Sequence, residues 1–327
     1  MSLIRVNNVT KVYKKKESSK NLKGIFINKK SEFKAVSNLS FELQQGEILG
    51  YLGVNGAGKS TTIKMLTGIL LPTEGSIEVD GKNPYQYRKN IAKRIGVVFG
   101  QRSNLIWDLP PIDTFNLFSK IYEIPDNVYK DRLNYIVNFM DIAHLLNSPV
   151  RKLSLGQRMC CEIVASLLHN PKILFLDEPT IGLDILNKDK IVSIIKGMNQ
   201  KYGTSIILTT HDLMDVEKLC DRITIIDKGS KVYEGSLESI KEINGSINTL
   251  CIYSEDILDN IDFNDKYQDC EITTNGNQLS IKYSKKKYSA LNLLNDLSGK
   301  IPNIKDITIK ETSVEDIIKT IYEAESI

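Results

Sequence analysis

The sequence predicts a parallel α/β core interrupted by an all-helical block and followed by a small α+β unit. Three observations predict it. The apolar run Ile48 to Leu52 leads into a glycine-rich loop and then a helical pattern. A second apolar run, Ile173 to Leu176, ends in Asp177 and Glu178. Beyond residue 245 the chain becomes rich in Asn, Asp, Ile and Lys, with strand and helix patterns of its own.

Length and composition set the frame. A chain of 327 residues suits two domains, and 41% hydrophobic residues suffice for packed cores. The formal charge of +3 is near balance, so no overall basic field points to nucleic acid and no nucleic-acid partner is expected. There is no run of about 18 apolar residues that could span a bilayer. The N-terminus, MSLIRVNNVTKVY, lacks a signal-peptide core, so a cytosolic chain is expected. Cys160, Cys161, Cys220, Cys251 and Cys270 show no Cys-x-x-Cys spacing and read as free packing thiols. The three histidines are too scattered to suggest a metal site.

Ile4 to Val12 and Ala35 to Leu43 read as strands, the second with Val36, Leu39, Phe41 and Leu43 facing inward. Between them, residues 14–34 read as a basic insertion of eight lysines and two glutamates around Leu22, Ile25, Phe26 and Ile27. A solvated loop between the strands is the first reading. A contact with a membrane face or a partner's acidic rim is the second.

A hairpin-like Ser76 to Gly81 and a strand at Ile95 to Phe99 follow. The helical block covers about 104–168, with one helical pattern over Val128 to Leu146 carried by Leu133, Ile136, Val137 and Met140. Strand and helix patterns then alternate: Ile173 to Leu176, Asn187 to Asn199, Ser205 to Thr209, Asp212 to Leu219, Ile223 to Ile226.

A closing helix at Ser236 to Asn244 and a linker, Asn244-Gly245-Ser246, place the domain boundary between 1–245 and 246–327. The second domain reads as strand Asn248–Tyr253, helix Asp256–Phe263, strand Cys270–Thr274, strand Gln278–Tyr283, helix Lys287–Leu297 and strand Ile304–Lys310. That is the β-α-β-β-α-β order of a ferredoxin-like unit. Thr312 and Glu315 fit a capping box for a last helix.

The chemistry is concentrated in two places. Gly53, Val54, Asn55, Gly56, Ala57, Gly58, Lys59, Ser60 and Thr61 form a complete Gly-x4-Gly-Lys-Ser loop between a strand and a helix. Glycines let backbone N–H groups turn toward phosphate oxygens, and the helix N-terminus adds partial positive charge. Lys59 can reach the β- and γ-phosphates, and the Ser60 hydroxyl can ligate Mg²⁺. The motif predicts a nucleoside triphosphate site. Asp177 and Glu178 fall at the C-terminal end of a buried strand, where open α/β sheets bind ligands. Asp177 suits Mg²⁺ through water, and Glu178 suits a general base for the attacking water.

Five further segments then complete a resemblance to the ATP-binding cassette (ABC) ATPases, in that family's order. They are Tyr13 at the end of the first strand, Gln101, Leu153-Ser154-Leu155-Gly156-Gln157, Pro179 to Asp184, and Thr210-His211-Asp212. The resemblance runs to about Gly235 and does not cover the C-terminal domain. It implies a P-loop NTPase core with a helical subdomain, using ATP and Mg²⁺. It implies that Tyr13 stacks on adenine, that Gln101 contacts Mg²⁺ and couples to a transmembrane partner, and that His211 orients the γ-phosphate. Ser154, Gly156 and Gln157 would close over ATP held by a second copy or a related subunit.

The chain would then sit on the cytoplasmic face of the membrane, held by a permease on a separate chain. One departure stands out. Leu155 occupies a position where the family most often has glycine, and leucine requires an ordinary backbone there. With the segment Phe99 to Pro110, it resembles the exporter-type branch. A solute importer and a non-transport ATPase of translation or DNA repair are the alternatives.

Overall fold

The computed structural model describes residues 2–20, 26–100, 103–210, 212–244, 247–258, 267, 269–311 and 316–319. The chain divides into two compact units, 1–234 and 235–327. The first unit opens with β1 (Ser2–Lys20), β2 (Phe26–Gln44), β3 (Ile48–Gly53), α1 (Lys59–Leu66), β4 (Glu74–Val79), α2 (Arg88–Ala92) and β5 (Ile95–Phe99). The helical block is α3 (Pro111–Ile121), α4 (Asp126–Phe139) and α5 (Leu155–Leu167). Then come β6 (Ile173–Asp177), α6 (Ile185–Tyr202), β7 (Ser205–Thr210), α7 (Leu213–Leu219), β8 (Arg222–Asp227) and β9 (Ser230–Ser236).

The six-stranded sheet runs β5-β6-β7-β3-β8-β9, and the pairings from β5 to β8 are all parallel. All six residues of β3 and of β7 are buried. Strands covered on both faces read as continuous apolar runs rather than as alternation, which is why Ile48 to Leu52 was legible. A second, antiparallel sheet, β2-β1-β4, lies in the same unit. Its inner residues Ile4, Val6, Leu39 and Phe41 share one core cluster with Leu49, Tyr51, Ile63 and Phe175. The Phe41 and Tyr51 rings meet at 5.4 Å.

The basic insertion is not a loop between two short strands. β1 and β2 continue as one antiparallel hairpin, pairing Val12 with Lys34, Tyr13 with Phe33, and so on to Lys20 with Phe26. No glycine or proline interrupts 12–20 or 26–34. The ladder that starts at Ser2 therefore has no reason to stop at residue 13.

The helical pattern over Val128 to Leu146 also breaks. α4 ends at Phe139, and Asp141 takes φ 50, a left-handed value that stops an α-helix. A short 3-10 turn, Ala143–Leu145, follows. Leu133, Ile136, Val137 and Met140 are buried as the periodicity requires.

The second unit holds α8 (Leu237–Asn244), β10 (Ile247–Ser254), β11 (Glu271–Asn275), β12 (Gln278–Ser284), α9 (Ala290–Ser298) and β13 (Ile304–Glu311). Thus α8 groups with this unit, although the sequence reading closed the first domain with it. The sheet order is β11-β12-β10-β13 with every neighbour antiparallel, the arrangement of a split βαβ unit. Its core joins Leu250, Ile252, Leu279 and Ile281 to Leu293 and Leu297 of α9. Of the expected helix Asp256–Phe263, residues 256–258 are not helical and 259–263 lie outside the described residues. The capping pair Thr312 and Glu315 also lies outside them.

Candidate active site

β3 delivers the glycine-rich loop and α1 receives it. Gly56 and Gly58 take φ 88 and 109, conformations that L side chains rarely adopt. A Cβ on Gly58 would fall 2.5 Å from the Ala35 carbonyl oxygen, so the loop can pass under β2 only as glycine. The backbone is pinned on both sides. Ala57 N–H donates to Val54 O at 3.1 Å, and Gly229 N–H donates to Ala57 O at 3.0 Å. Ala57 is buried, while Val54, Asn55, Gly56 and Ser60 are exposed.

Lys59 is buried, and its ammonium folds back over the loop. It donates to Gly53 O at 2.6 Å and to Val54 O at 3.4 Å, and stands 3.8 Å from Glu178 Oε1. Burial pushes its pKa below the ordinary lysine value, while first Glu178 and then Asp177 pull it back. A partly desolvated cation whose partners are carbonyls and one carboxylate is suited to exchange them for phosphate oxygens.

β6 carries the carboxylates, and β7 aims them. Asp177 and Thr209 are register partners on these parallel strands. Thr209 Oγ1 donates to Asp177 Oδ1 at 2.5 Å, and Ser60 Oγ donates to Oδ2 at 3.3 Å. The Glu178 N–H is shared between Thr209 O at 2.9 Å and Thr209 Oγ1 at 3.2 Å. Glu178 itself takes φ 55, which costs a non-glycine residue on the order of 1–3 kcal/mol. The surrounding structure holds it there, with Gly100 N–H on Asp177 O at 2.8 Å. The role of Thr209 was missed from sequence, because only the parallel register puts it beside Asp177.

A cavity of about 560 Å³ gathers these groups. Its polar lining includes Gly56, Lys59, Ser60, Asp177 and Glu178; Tyr13, Phe33 and Ile69 add apolar wall. The volume, the glycine cradle and the buried ammonium fit a nucleoside triphosphate. The hard oxygens of Ser60 and Asp177, 3.3 Å apart, fit a divalent cation such as Mg²⁺.

Ser154, Gly156 and Gln157 stand apart from this cavity's lining. They form the N-terminus of α5 as a reciprocal capping box. Gln157 N–H donates to Ser154 Oγ at 3.2 Å, and Ser154 N–H donates to Gln157 Oε1 at 2.9 Å. Leu155 is the first residue of α5, with ordinary helical backbone, as its side chain requires. Its Cδ2 lies 3.1 Å from where a Cβ on Gly182 would be. Gln101 and His211 lie outside the described residues.

The family match spans the glycine-rich loop and the Asp177–Glu178 pair. The ABC transporter family profile matches residues 36–181. The ABC transporter ATP-binding protein NatA of Bacillus subtilis is 33% identical over 66% of this chain and 88% of that relative. The Nod factor export ATP-binding protein I of Ralstonia nicotianae is 31% identical, over 68% of each chain. The methionine import ATP-binding protein MetN 2 of Enterococcus faecalis is 29% identical, over 68% of this chain and 65% of its own length. Among solved structures, a dimeric post-hydrolysis state of the ATP-binding cassette MJ0796, bound to ADP and Pi, superimposes with a TM-score of 0.61. It shares 26% identity over 72% of this chain and 98% of that one.

The chain therefore belongs to the ABC transporter family, as an ATP-binding subunit with ATPase chemistry. Subunits of this family generally work in pairs with transmembrane partners. No described helix is long and apolar enough to cross a membrane.

Proposed function

We propose that this chain is the ATP-hydrolysing subunit of an exporter whose permease is a separate chain, acting from the cytoplasmic face of the membrane. The observation that carries the chemistry is the Lys59–Glu178 and Ser60–Asp177–Thr209 constellation at the ends of β3, β6 and β7. Lys59 moves from the loop carbonyls to the β- and γ-phosphates. Thr209 keeps the Asp177 carboxylate turned toward Ser60, and these two would hold Mg²⁺, which would supply charge neutralisation of the phosphates. Gln101 would join them in holding it. Glu178 takes the proton of the attacking water, and its left-handed backbone fixes the direction from which it does so. His211 orients the γ-phosphate and Tyr13 stacks on adenine. Ser154, Gly156 and Gln157 of a second subunit close the site, the helix N-terminus of α5 facing the phosphate.

Export is supported by Leu155 and by the segment Phe99 to Pro110. Within that segment Ile106, Trp107 and Leu109 are exposed, while the backbone of Trp107 and Leu109 bonds to Arg151 and Val150. This is a braced apolar surface suited to a permease helix. A methionine import relative of similar identity favours the second reading, a solute importer. We read residues 246–327 as an accessory unit that strengthens dimerisation.

Co-purification of the tagged chain from detergent-solubilised membranes separates the readings. Export predicts an associated permease of several membrane helices and no substrate-binding lipoprotein. Recovery of a substrate-binding protein with the complex overturns export in favour of import.

A further inference from the structure

The hairpin that replaces the expected loop changes the wall of the nucleotide cavity. Tyr13 on β1 and Phe33 on β2 are direct register partners, so their side chains leave the same face of the two-stranded ribbon. Both line the cavity that contains Lys59 and Ser60. Both are also exposed, Tyr13 at 37% and Phe33 at 60%, although an aromatic ring gains most by burial.

The two rings are held differently. Lys11 Nζ sits 5.5 Å from the Tyr13 ring centroid while donating to Leu71 O at 2.8 Å, which fixes the neighbourhood of that ring. Phe33 sits on β2 at a position that pairs with β1 because the ladder continues past Val12 and Lys34.

We propose that Phe33 is a second nucleobase contact, and that the base is held against an aromatic wall made by the cross-strand pair Tyr13 and Phe33. The inference rests on the reading of this cavity as a nucleoside triphosphate site. A planar purine has two π-faces and an apolar edge. Covering it removes exposed apolar surface from the base and from both rings at once, and stacking does not need hydrogen-bond readout. The phosphate end of the ligand is served by other groups, Lys59 and the backbone of the glycine loop. A change at Phe33 therefore acts on the base and not on the phosphates. Any distortion of the basic hairpin beyond Lys14 and Glu32, which are the next register pair, would be felt first at these two rings.

The test compares ATP with inorganic tripolyphosphate, which has the phosphates and no base. Calorimetric titrations with Mg²⁺ are run on the full-length wild type, Phe33→Ala and Phe33→Trp. Phe33→Ala should weaken ATP roughly 5- to 100-fold, the range set by removal of one aromatic–base stack, and leave tripolyphosphate affinity within about twofold. Phe33→Trp should retain ATP affinity. Unchanged ATP affinity in Phe33→Ala overturns the proposal. Equal loss for ATP and tripolyphosphate overturns it too, by placing the effect at the phosphate loop. A wild type that binds tripolyphosphate and ATP equally shows that no base contact exists. A wild type that binds neither overturns the nucleotide-site reading itself.

Discussion

Glu162 holds the backbone of Asn104: both of its carboxylate oxygens lie 3.0 Å from that amide nitrogen. Ser103 Oγ donates to the same carboxylate, and Leu105 N–H reaches it at 3.4 Å. Glu162 is 3% exposed on α5, so one buried acid ties the helix that begins at Ser154 to the chain leaving β5. Burial pushes its pKa up, and the donors from Ser103, Asn104 and Leu105 hold it down in part. Replacing it with alanine removes the acceptor of the Asn104 N–H and of the Ser103 hydroxyl, while Leu105 N–H keeps its bond to Ser103 Oγ at 3.1 Å. Glu162→Ala should cost about 1–3 kcal/mol in all, since only part of this hydrogen bonding is lost to solvent or to other partners. Chemical denaturation reads this as a lower midpoint. A midpoint equal to wild type would show that water or a rearranged segment serves those donors.

Gly58→Ala should abolish ATP binding while the rest of the fold survives. The added Cβ meets the Ala35 carbonyl oxygen at 2.5 Å, and φ 109 is closed to alanine at low cost. The loop must move, and the amides that face phosphate move with it. Calorimetry checks binding, and circular dichroism checks the fold. Tight ATP binding by this variant would mean the loop has another usable conformation.

Glu178→Gln should bind ATP normally and lose hydrolysis by about 10²–10⁴-fold, the usual contribution of a general base. Its contact with Lys59 at 3.8 Å is an ion pair that the amide would weaken. ATP affinity should therefore be unchanged or slightly higher, since Lys59 has one competitor fewer. Wild-type turnover in a phosphate-release assay would refute the assignment.

Ser154→Arg should leave ATP binding by the monomer intact and stop hydrolysis, because Ser154 lies away from its own chain's cavity. Mixing Ser154→Arg with Lys59→Ala protein gives mixed dimers with one doubly defective site and one intact site. Partial recovery of activity is the expected result. Absence of recovery in verified mixed dimers would count against sites built independently from two chains.

His169 gives the pH dependence. Its Nε2 lies 2.9 Å from Ile95 O, and its ring stacks on Tyr122 at 4.0 Å. Burial pushes its pKa down to about 4, the Ile95 bond resists, and the Arg132 charge adds to the depression. The unfolded chain accepts this proton near the ordinary histidine pKa of about 6.5, above the folded value. This contribution is therefore fully present above about pH 6.5 and is lost as pH falls toward 4. Its size is about 1–3 kcal/mol, nearer the lower figure because the ring is not fully buried. Denaturation of wild type and His169→Gln across this window should show a flatter profile for the variant. Parallel profiles would refute the claim.

The sequence alone determined the ATP chemistry and the class of fold. Gly53 to Thr61 and Ile173 to Glu178 were legible because both motifs are local: each is one strand end with its turn, and burial on both faces turns such a strand into an unbroken apolar run. The helical block was legible from the spacing of Leu133, Ile136, Val137 and Met140, but its breaks were not, since the left-handed turn at Asp141 leaves no mark in hydrophobic periodicity.

What only the tertiary structure decided is which distant residues meet. Thr209 stands beside Asp177 because β6 and β7 are parallel in a given register. Glu162 finds Asn104 because α5 packs behind β5. Phe33 reaches the cavity because a lysine-rich stretch, which composition reads as a solvated loop, continues a ladder already paired from Ser2 onward. Strand pairing over such distances is set by backbone hydrogen bonds between whole segments, and those bonds are blind to the side-chain composition from which a sequence is read.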